Sequence, residues 1–484
     1  MASTHGRQPM SFRGRFESRL CWLYSHDSGG HLMSIAICRV ALMFLILGAD
    51  STGNEASAAQ GDKAPEGWTA GASRDEILPT LTYNAKGGRD GKGAFVILQD
   101  EREGLHGYWQ KTFPVKGGEY VHFQAWRKIN DSVLVPRQSA SVRILWRDAQ
   151  GKNVPQDEPA AAGYLIGWSP TSEAEHPTDK QTDNHGWTEV SETYRVPSKA
   201  TQAIVSLNGQ WAPNGIIEWS QISFESVPQP KSRLVRLASV HHRPTGKSAE
   251  ENCREFAPFI EQAAAQKVDL IVLGETITVV NTNKSFVETA EPVPGPSTDY
   301  FGQLAKRHDM YIVVPILERD KHLVYNVTVL MGPDGKIVGK YRKTCLPRGE
   351  IERGISPGHE YPVFETRFGK VGMMICYDGF FPEVARELTN KGAEVIAWPV
   401  WGCNPMLAKA RACENQVYIV SSTYEDIKRN WALTAIYDHS GEPIVHAKDW
   451  DTIIVSEVDL NKRLKWNSLG DFKGELPRHR PVVK

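Results

Sequence analysis

The chain has 484 residues, 40% of them hydrophobic and 23% charged, with 56 basic and 57 acidic side chains. This length favours two domains over one, and the composition is ordinary for a globular protein. The formal net charge of −1 gives no reason to expect a nucleic acid or an anionic membrane as a partner.

Residues 1–59 have the features of an export signal. Arg39 precedes an apolar run from 40 to 49. This run is too short to span a bilayer as a helix and is typical of a signal-peptide core, and the small residues at 56–59 suit a signal peptidase. We therefore predict an exported protein, periplasmic or extracellular, whose translation starts at Met33. An uncleaved anchor or a chance apolar run is the alternative.

Residues 62–226 have an all-β pattern. Short runs rich in Val, Ile, Thr and aromatic residues alternate with turns rich in Gly, Pro, Asn and Asp. Such closely spaced strands predict an accessory β-sandwich or jelly roll. The predicted strands cover 94–100, 119–126, 140–146, 188–196, 202–209 and 216–225.

Eight of the 14 tryptophans lie in this first half. An indole stacks well on a sugar ring, so one interpretation of these tryptophans is that they form a glycan-binding face. The pattern resembles the jelly-roll carbohydrate-binding modules that are often fused to exported enzymes. The alternative is that the indoles pack in the core of the sandwich. These tryptophans are Trp68, Trp109, Trp126, Trp146, Trp168, Trp187, Trp211 and Trp219.

A polar linker containing prolines, at 227–233, leads into the second half, 234–484. Helical and strand patterns alternate there, which predicts helices covering a sheet. Ser248 and Glu251 form a capping-box signature for a helix that extends to Lys267. Further predicted helices cover 382–391 and 406–415, and predicted strands cover 268–275, 310–317, 326–331, 337–343, 369–376, 393–400, 416–424 and 453–460.

Three polar residues end or flank predicted strands of this half: Glu275, Lys343 and Cys376. Layered α/β folds build their sites from side chains at strand ends. A thiol is a poor nucleophile at neutral pH unless a cation such as Lys343 stabilises its thiolate. A glutamate beside the lysine and the cysteine could give a proton to a leaving amine and later take one from a water molecule. Together the three residues predict a nucleophilic hydrolase site.

Glu, Lys and Cys in this order resemble the nitrilase superfamily of carbon–nitrogen hydrolases. The resemblance extends from about residue 234 to the C-terminus and rests on the blocks LGE, GKYRKT, MMICYDGFFPEVAR, RACENQVYIVSS and LGDF. It implies a four-layer αββα sandwich that typically forms homodimers or higher homo-oligomers. No cysteine pair has metal-ligand spacing, so no metal or other cofactor is expected.

The resemblance also implies a role for each residue. The Cys376 thiolate attacks the substrate carbon, and Lys343 with the backbone N–H of Tyr377 stabilises the oxyanion. Glu275 protonates the departing amine and then activates water against the thioester.

Many members carry a second glutamate soon after the lysine, and two residues of this chain are candidates for that position. Glu350 fits best and Glu352 is close to it. One departure concerns Cys345, which stands where many amide-hydrolysing members have a histidine. Because a thiol cannot supply the hydrogen bonds of an imidazole, the positioning of the neighbouring groups is in question.

Tyr377-Asp378 after the cysteine favours an amidase or an N-carbamoyl hydrolase over a nitrilase. Trp398, Trp401 and Asn404 follow the next strand and are candidates to line the pocket, with core packing as the alternative. The sequence thus predicts an exported thiol hydrolase that cleaves a small-molecule amide or N-carbamoyl bond. The alternatives are nitrile hydrolysis by the same site, and an inactive scaffold whose β-domain binds a glycan.

Overall fold

The computed structural model describes residues 61–158, 171–429, 431–466 and 469–481. The predicted export signal and Trp168 lie outside the described residues, so the prediction of export remains a prediction. The described residues belong to one compact unit. None of their helices is long and apolar enough to cross a membrane.

Two antiparallel sheets build the first part of this unit. Their strand orders are β1-β4-β9-β6 and β2-β3-β10-β5-β8-β7, and one hydrophobic core takes side chains from both sheets. The elements are β1 Trp68–Ala72, β2 Thr80–Asn84, β3 Ala94–Leu98, β4 His106–Pro114, β5 Tyr120–Ile129, α1 Pro136–Ser139, β6 Val142–Arg147, β7 Thr178–Thr182, β8 Thr188–Arg195, β9 Gln202–Gln210 and β10 Ile216–Val227, with a 3₁₀ turn at Asp75–Ile77.

The alternation of side chains along β5 shows why these sequences form a sandwich. Val121, Phe123 and Ala125 are buried, while His122 and Gln124 between them are half-buried on the other face. The six predicted strands of this part are present. The sequence did not indicate β1, β2, β4 or β7, and the jelly-roll assignment remains a prediction.

Most of the described tryptophans of this part have a packing role. Trp68 packs against a phenylalanine ring, and Arg89 lies 3.7 Å above the ring of Trp126. Only Trp211, among the described tryptophans of the sandwich, is largely exposed, at 60%, and its φ of 57° is unusual for a bulky residue. The buried ones are Trp109, Trp146, Trp187 and Trp219.

The second part contains two six-stranded sheets, ordered β15-β14-β13-β12-β11-β22 and β16-β17-β18-β19-β20-β21. Its strands are β11 Leu234–His241, β12 Leu270–Val272, β13 Tyr311–Asp320, β14 Leu323–Met331, β15 Ile337–Arg342, β16 Val363–Glu365, β17 Lys370–Met373, β18 Val395–Pro399, β19 Tyr418–Ser422, β20 Ala435–Tyr437, β21 Pro443–His446 and β22 Thr452–Asp459, and β23 Lys465–Trp466 pairs with β24 Gly470–Asp471. Its helices are α2 Ala249–Glu255, α3 Ala257–Ala265, α4 Phe286–Thr289, α5 Pro296–His308, α6 Arg348–Ile351, α7 Pro382–Asn390, α8 Pro405–Asn415 and α9 Phe472–His479, with a 3₁₀ helix at Cys376–Phe380.

The buried side chains of this part define four layers. One core joins the facing sides of the two sheets and takes in α7 and α8, and a second core packs α2, α3 and α5 on the far face of the first sheet. The order is therefore helices, sheet, sheet, helices, as predicted. Within this arrangement β11, β12 and β13 are parallel neighbours, and so are β17, β18 and β19.

The helix predicted after Ser248 is present but is broken. The Ser248 hydroxyl accepts a hydrogen bond from the backbone of Glu251 at 3.2 Å, as the capping signature indicates. The helix then ends at Glu255, and a second one begins at Ala257. Pro258 in the first turn of the second helix has no N–H to donate to the preceding turn, which explains the break.

The segment that follows β22 contacts the first part of the unit through ion pairs. Arg463 lies 2.8 Å from Glu192, and Lys465 lies 2.5 Å from Glu175. Glu475 in α9 contacts His176 at 3.0 Å. The C-terminal segment therefore joins the β-sandwich to the four-layer part.

Candidate active site

The three residues at predicted strand ends come together in the structure. Glu275 lies shortly after β12, Lys343 directly follows β15, and Cys376 lies shortly after β17. Each is almost fully buried, with relative exposures of 4%, 1% and 7%. Because the two sheets face each other, the strand ends of both contribute to one buried cluster.

Lys343 bridges two carboxylates in this cluster. Its Nζ donates to Oε1 of Glu275 at 3.0 Å and to Oε1 of Glu350 at 2.7 Å. Asn326, fully buried on β14, donates from Nδ2 to the same two oxygens at 2.9 Å and 3.2 Å. Glu352 instead pairs with Arg348 at the surface. Of the two candidates for the second glutamate, only Glu350 lies in the cluster.

The ionisation of Lys343 and Glu350 follows from their burial and their neighbours. Burial opposes the charge on Lys343, but the adjacent acidic groups, led by Glu275, outweigh it and hold its pKa above the usual value. Burial raises the pKa of Glu350 above its usual value; Lys343 opposes that rise and Glu275 adds to it. Lys343 is thus held as an ammonium ion between two acidic groups.

Cys376 occupies a strained position beside this cluster. Its φ is 42°, in the left-handed region that a side chain other than glycine seldom adopts, and its Sγ lies 3.6 Å from the carbonyl oxygen of Gly402. Burial and the neighbouring Glu275 raise the pKa of the thiol well above its usual value, and Lys343 only partly opposes them. Burial and Glu275 thus favour the neutral thiol, and the Lys343 ammonium is the neighbour that favours the thiolate.

Asp378 fixes the turn that presents the thiol. Its Oδ2 accepts hydrogen bonds from the backbone N–H of Ile375 and from the hydroxyl of Tyr341, both at 2.8 Å. Its Oδ1 accepts from the backbone N–H of Cys345 at 2.9 Å and from the hydroxyl of Thr344 at 3.2 Å. Asp378 is fully buried, so it links the turn of Cys376 to the loop after Lys343.

Cys345 takes part in this link through its backbone. Its thiol lies 3.8 Å from the hydroxyl of Thr344, and burial together with Asp378 raises its pKa to about 11. The second thiol is thus held by the loop rather than by the glutamates. All five described cysteines are free.

The other predicted site residues divide by position. Trp398 is fully buried, and its Nε1 donates to the carbonyl of Cys376 at 3.3 Å. Its role is therefore to stabilise the turn that carries Cys376. The backbone N–H of Trp401 donates to Oε2 of Glu275 at 2.9 Å. Tyr377 is half-buried in the turn itself. Asn404 caps α8 by accepting from the backbone of Met406 at 2.9 Å and lies outside the hydrogen-bonded cluster.

The sequence reasoning missed Asn326, the role of Asp378, and Tyr424. Tyr424 is buried, and burial together with Glu275 raises its pKa well above the usual value. One signal was available for Asn326, because it is an amide at the start of the apolar run NVTVLM. A polar side chain inside a buried strand needs hydrogen-bond partners, and here the two glutamates supply them.

The fold and the cluster define a four-layer αββα protein with a buried Glu–Lys–Glu group beside a thiol. The sequence model of the carbon-nitrogen hydrolase family matches residues 236–467. An omega-amidase NIT2 of Xenopus tropicalis is 33% identical over 253 residues, which are 48% of this chain and 88% of that protein. The chain belongs to the carbon-nitrogen hydrolase family, in the nitrilase superfamily.

Other similar proteins match a similar share of the chain. A nitrilase of Pyrococcus abyssi is 34% identical over 255 residues, or 49% of this chain and 96% of that protein. Among solved structures, Saccharomyces cerevisiae Nit3, described as a member of the nitrilase superfamily, is 26% identical with a TM-score of 0.41, and the match covers 47% of this chain and 90% of that one. The family match begins after the β-sandwich, whose resemblance to carbohydrate-binding modules remains a prediction.

Proposed function

We propose that this protein hydrolyses a non-peptide amide bond through a thioester on Cys376. The observation that carries the proposal is the bridge from Lys343 to Glu275 and Glu350, buried beside the thiol. An ammonium ion in a water-poor site stabilises developing negative charge far better than it would in water. The names of the omega-amidase relatives support an amide as the substrate.

The first half-reaction begins from a protonated thiol. Glu275 accepts the proton of Cys376 as Sγ attacks the carbonyl carbon, and the carbonyl oxygen becomes an oxyanion. Lys343 and the backbone N–H of Tyr377, in the first turn of the 3₁₀ helix, stabilise that oxyanion. Glu275 then gives the proton to the departing amine as the carbon–nitrogen bond breaks, which leaves the thioester.

The second half-reaction reverses the proton path. Glu275 takes a proton from water, whose oxygen attacks the thioester carbon, and the same proton returns to Sγ when the acid leaves. Glu350 and Asn326 hold Lys343 and Glu275 in place but exchange no proton with the substrate. The site therefore needs one glutamate that shuttles protons and another that positions the lysine.

The choice between amide, N-carbamoyl and nitrile substrates does not rest on the Tyr377-Asp378 pair. Asp378 is fully buried and uses both oxygens on protein donors, so it has no free acceptor for a substrate. Support for an amide over a nitrile comes from the omega-amidase relatives, although one similar protein is named a nitrilase. The inactive scaffold is disfavoured because Glu275, Lys343 and Cys376 are all present and in proximity.

A substrate panel tests this proposal. Ammonia release is measured with primary amides, N-carbamoyl amino acids and nitriles, using the wild-type protein, Cys376→Ala and Cys345→Ala. We expect turnover of amides, its loss in Cys376→Ala, and retained turnover in Cys345→Ala. Loss of a covalent nucleophile should exceed the tenfold that corresponds to about 1.4 kcal/mol. Cys376→Ala turnover within tenfold of wild type would contradict the assignment.

A second proposal concerns the β-sandwich. We infer that it targets an exported enzyme to a glycan, with Trp211 as the stacking surface. Support comes from the exposure of that one indole while the other described indoles of the sandwich are buried or covered. A backbone conformation with positive φ in a large exposed residue is also costly, and such strain is concentrated at functional sites.

A further inference from the structure

Two tryptophans flank the backbone segment that contacts the reacting groups of the site. Trp401 donates its backbone N–H to Glu275 at 2.9 Å, and the next residue, Gly402, places its carbonyl oxygen 3.6 Å from the sulfur of Cys376. The indole of Trp401 is therefore attached to a segment that contacts both the proton carrier and the nucleophile. This indole is nevertheless 48% exposed.

The second indole is that of Trp431. Its ring centroid lies 6.0 Å from that of Trp401, with an angle of 38° between the rings. A Cβ on Gly402 would approach Cε3 of Trp431 to 2.5 Å, so this ring packs directly on the glycine backbone. Glycine at 402 thus allows the indole of Trp431 to pack on the backbone whose carbonyl contacts Cys376. Trp401 and Trp431 together form an indole wall.

The backbone around the indole wall is fixed by hydrogen bonds. The hydroxyl of Thr423 donates to the carbonyl of Trp401 at 2.7 Å, and the backbone N–H of Ala432 donates to the carbonyl of Cys403 at 2.6 Å. Neither indole N–H has a hydrogen-bond partner within the described residues. The wall is therefore preorganised, with apolar faces and two unpaired donors.

The spacing of the two rings decides how a ligand contacts them. Carbon atoms in contact lie about 3.5–4.0 Å apart, so a flat group inserted between two rings needs a gap of roughly 7 Å. The rings are 6.0 Å apart and tilted, so nothing fits between them, and they present one continuous apolar surface. A substrate group would lie against this surface and release water from it.

We propose that the indole wall binds the acyl group of the substrate and selects a large apolar or aromatic acyl group. The inference rests on the proposed amide hydrolysis and adds the substrate class. The acyl group is the part of the substrate that stays bonded to Cys376 Sγ through both half-reactions. The indole wall flanks Gly402, so it would stay in contact with the acyl group through both half-reactions. The amine, by contrast, leaves after the first half-reaction.

A series of primary amides with one leaving group and different acyl groups tests the inference. The values of kcat/KM are measured for acetamide, hexanamide and 3-phenylpropanamide. In the wild type we expect the ratio of 3-phenylpropanamide to acetamide to be about tenfold or more, the effect expected for burying an apolar group of this size. Trp401→Ala should lower that ratio severalfold, and Trp401→Phe should restore most of it.

A matched control is Trp450→Ala. Trp450 is 42% exposed in the same part of the chain, but its ring stacks on His241 at 4.5 Å rather than on the indole wall. The ratio should stay at its wild-type value in this variant. The inference would be overturned if the ratio of kcat/KM for 3-phenylpropanamide to that for acetamide were near one in the wild type. It would also be overturned if Trp401→Ala left this ratio unchanged. In both cases the proposed amide hydrolysis would stand.

Two further measurements keep the inference separate from the proposed function. Anilides of acetic acid vary the amine instead of the acyl group; if Trp401→Ala weakens their turnover and not that of the acyl series, the wall binds the amine and the inference is wrong. Binding of 3-phenylpropanamide to Cys376→Ala, measured by calorimetry, needs no turnover. If the wild type hydrolyses no amide, this binding and its loss in Cys376→Ala/Trp401→Ala still decide the inference.

Discussion

Replacing Lys343 by methionine removes the ammonium group that bridges two buried carboxylates. Its Nζ lies 3.0 Å from Glu275 and 2.7 Å from Glu350, and the lysine side chain has no exposed surface. Methionine keeps most of the apolar stem, so the change is mainly one of charge. Removing one partner of a buried ion pair destabilises a protein by about 3–5 kcal/mol, and we expect a loss of that size at pH 8.

The loss of stability in Lys343→Met should depend on pH, and the pKa of Glu350 determines whether it grows or shrinks as the pH falls. Burial already raises the pKa of Glu350 above 4.5, and removing the lysine that opposes this rise should raise it further. A carboxyl group whose pKa is higher in the folded state contributes stability that is present below its unfolded pKa and is lost as pH rises through its folded pKa. The deficit of Lys343→Met relative to wild type should therefore shrink from pH 8 to pH 5.5, by about 1.4 kcal/mol for each added pKa unit.

Urea unfolding followed by tryptophan fluorescence measures this deficit at both pH values. The double variant Lys343→Met/Glu350→Gln provides the internal check, because it removes one of the two carboxylates that then repel each other. It should be more stable than Lys343→Met alone at pH 8. An equal loss at both pH values, or no recovery in the double variant, would show that the two glutamates do not share the lysine as the structure indicates.

Three further predictions concern other parts of the molecule. Lys465→Met should lower the thermal midpoint, because it leaves the buried Glu175 unpaired, at a cost of about 3–5 kcal/mol. Alkylation of Cys376 by iodoacetamide at pH 7 should become faster in Glu275→Gln, because Glu275 raises the pKa of this thiol and its neutralisation increases the thiolate fraction. Trp211→Ala should reduce retention of the protein on insoluble polysaccharide columns, if that indole stacks on sugars.

Each of these predictions has a control in the chain. Lys63→Met changes an exposed lysine and should leave the thermal midpoint unchanged. Alkylation of Cys345, whose pKa of about 11 has other causes, should respond little to Glu275→Gln. Trp450→Ala removes an exposed indole outside the sandwich and should leave polysaccharide retention at the wild-type value. The same response in a variant and in its control would contradict the corresponding prediction.

The sequence predicted those parts of the fold whose apolar pattern is strong. Strands such as β5 and β13 have continuous or alternating apolar residues, and the structure contains them where the pattern indicates. β7, with the sequence TDKQT, is almost entirely exposed; it is held by pairing with β8 and by the ion pair between Asp179 and Arg127 of β5. A strand with no buried face leaves no hydrophobic pattern, so local sequence cannot indicate it.

The candidate site was predictable only in part for a similar reason. Glu275, Lys343 and Cys376 follow apolar strands, and polar residues at strand ends are visible in the sequence. The contacts of Asp378 with Cys345 and Thr344 depend on how a turn and a loop from different sheets meet. The pairing of distant residues in three dimensions is what fixes those hydrogen bonds, and spacing along the chain does not contain it.

The β-sandwich is connected to the site region through β22 and the segment that follows it. β22 pairs with β11 along its whole length, and β11 is the parallel neighbour of β12, the strand that leads to Glu275. The chain then continues from β22 into the segment whose Arg463 and Lys465 form ion pairs with the sandwich. Both pairs are at least partly shielded from water, so the sandwich helps to hold this segment in place. The sequence reasoning assigned the two halves to separate tasks, but through β22 the sandwich also supports the sheet from which Glu275 reaches the site.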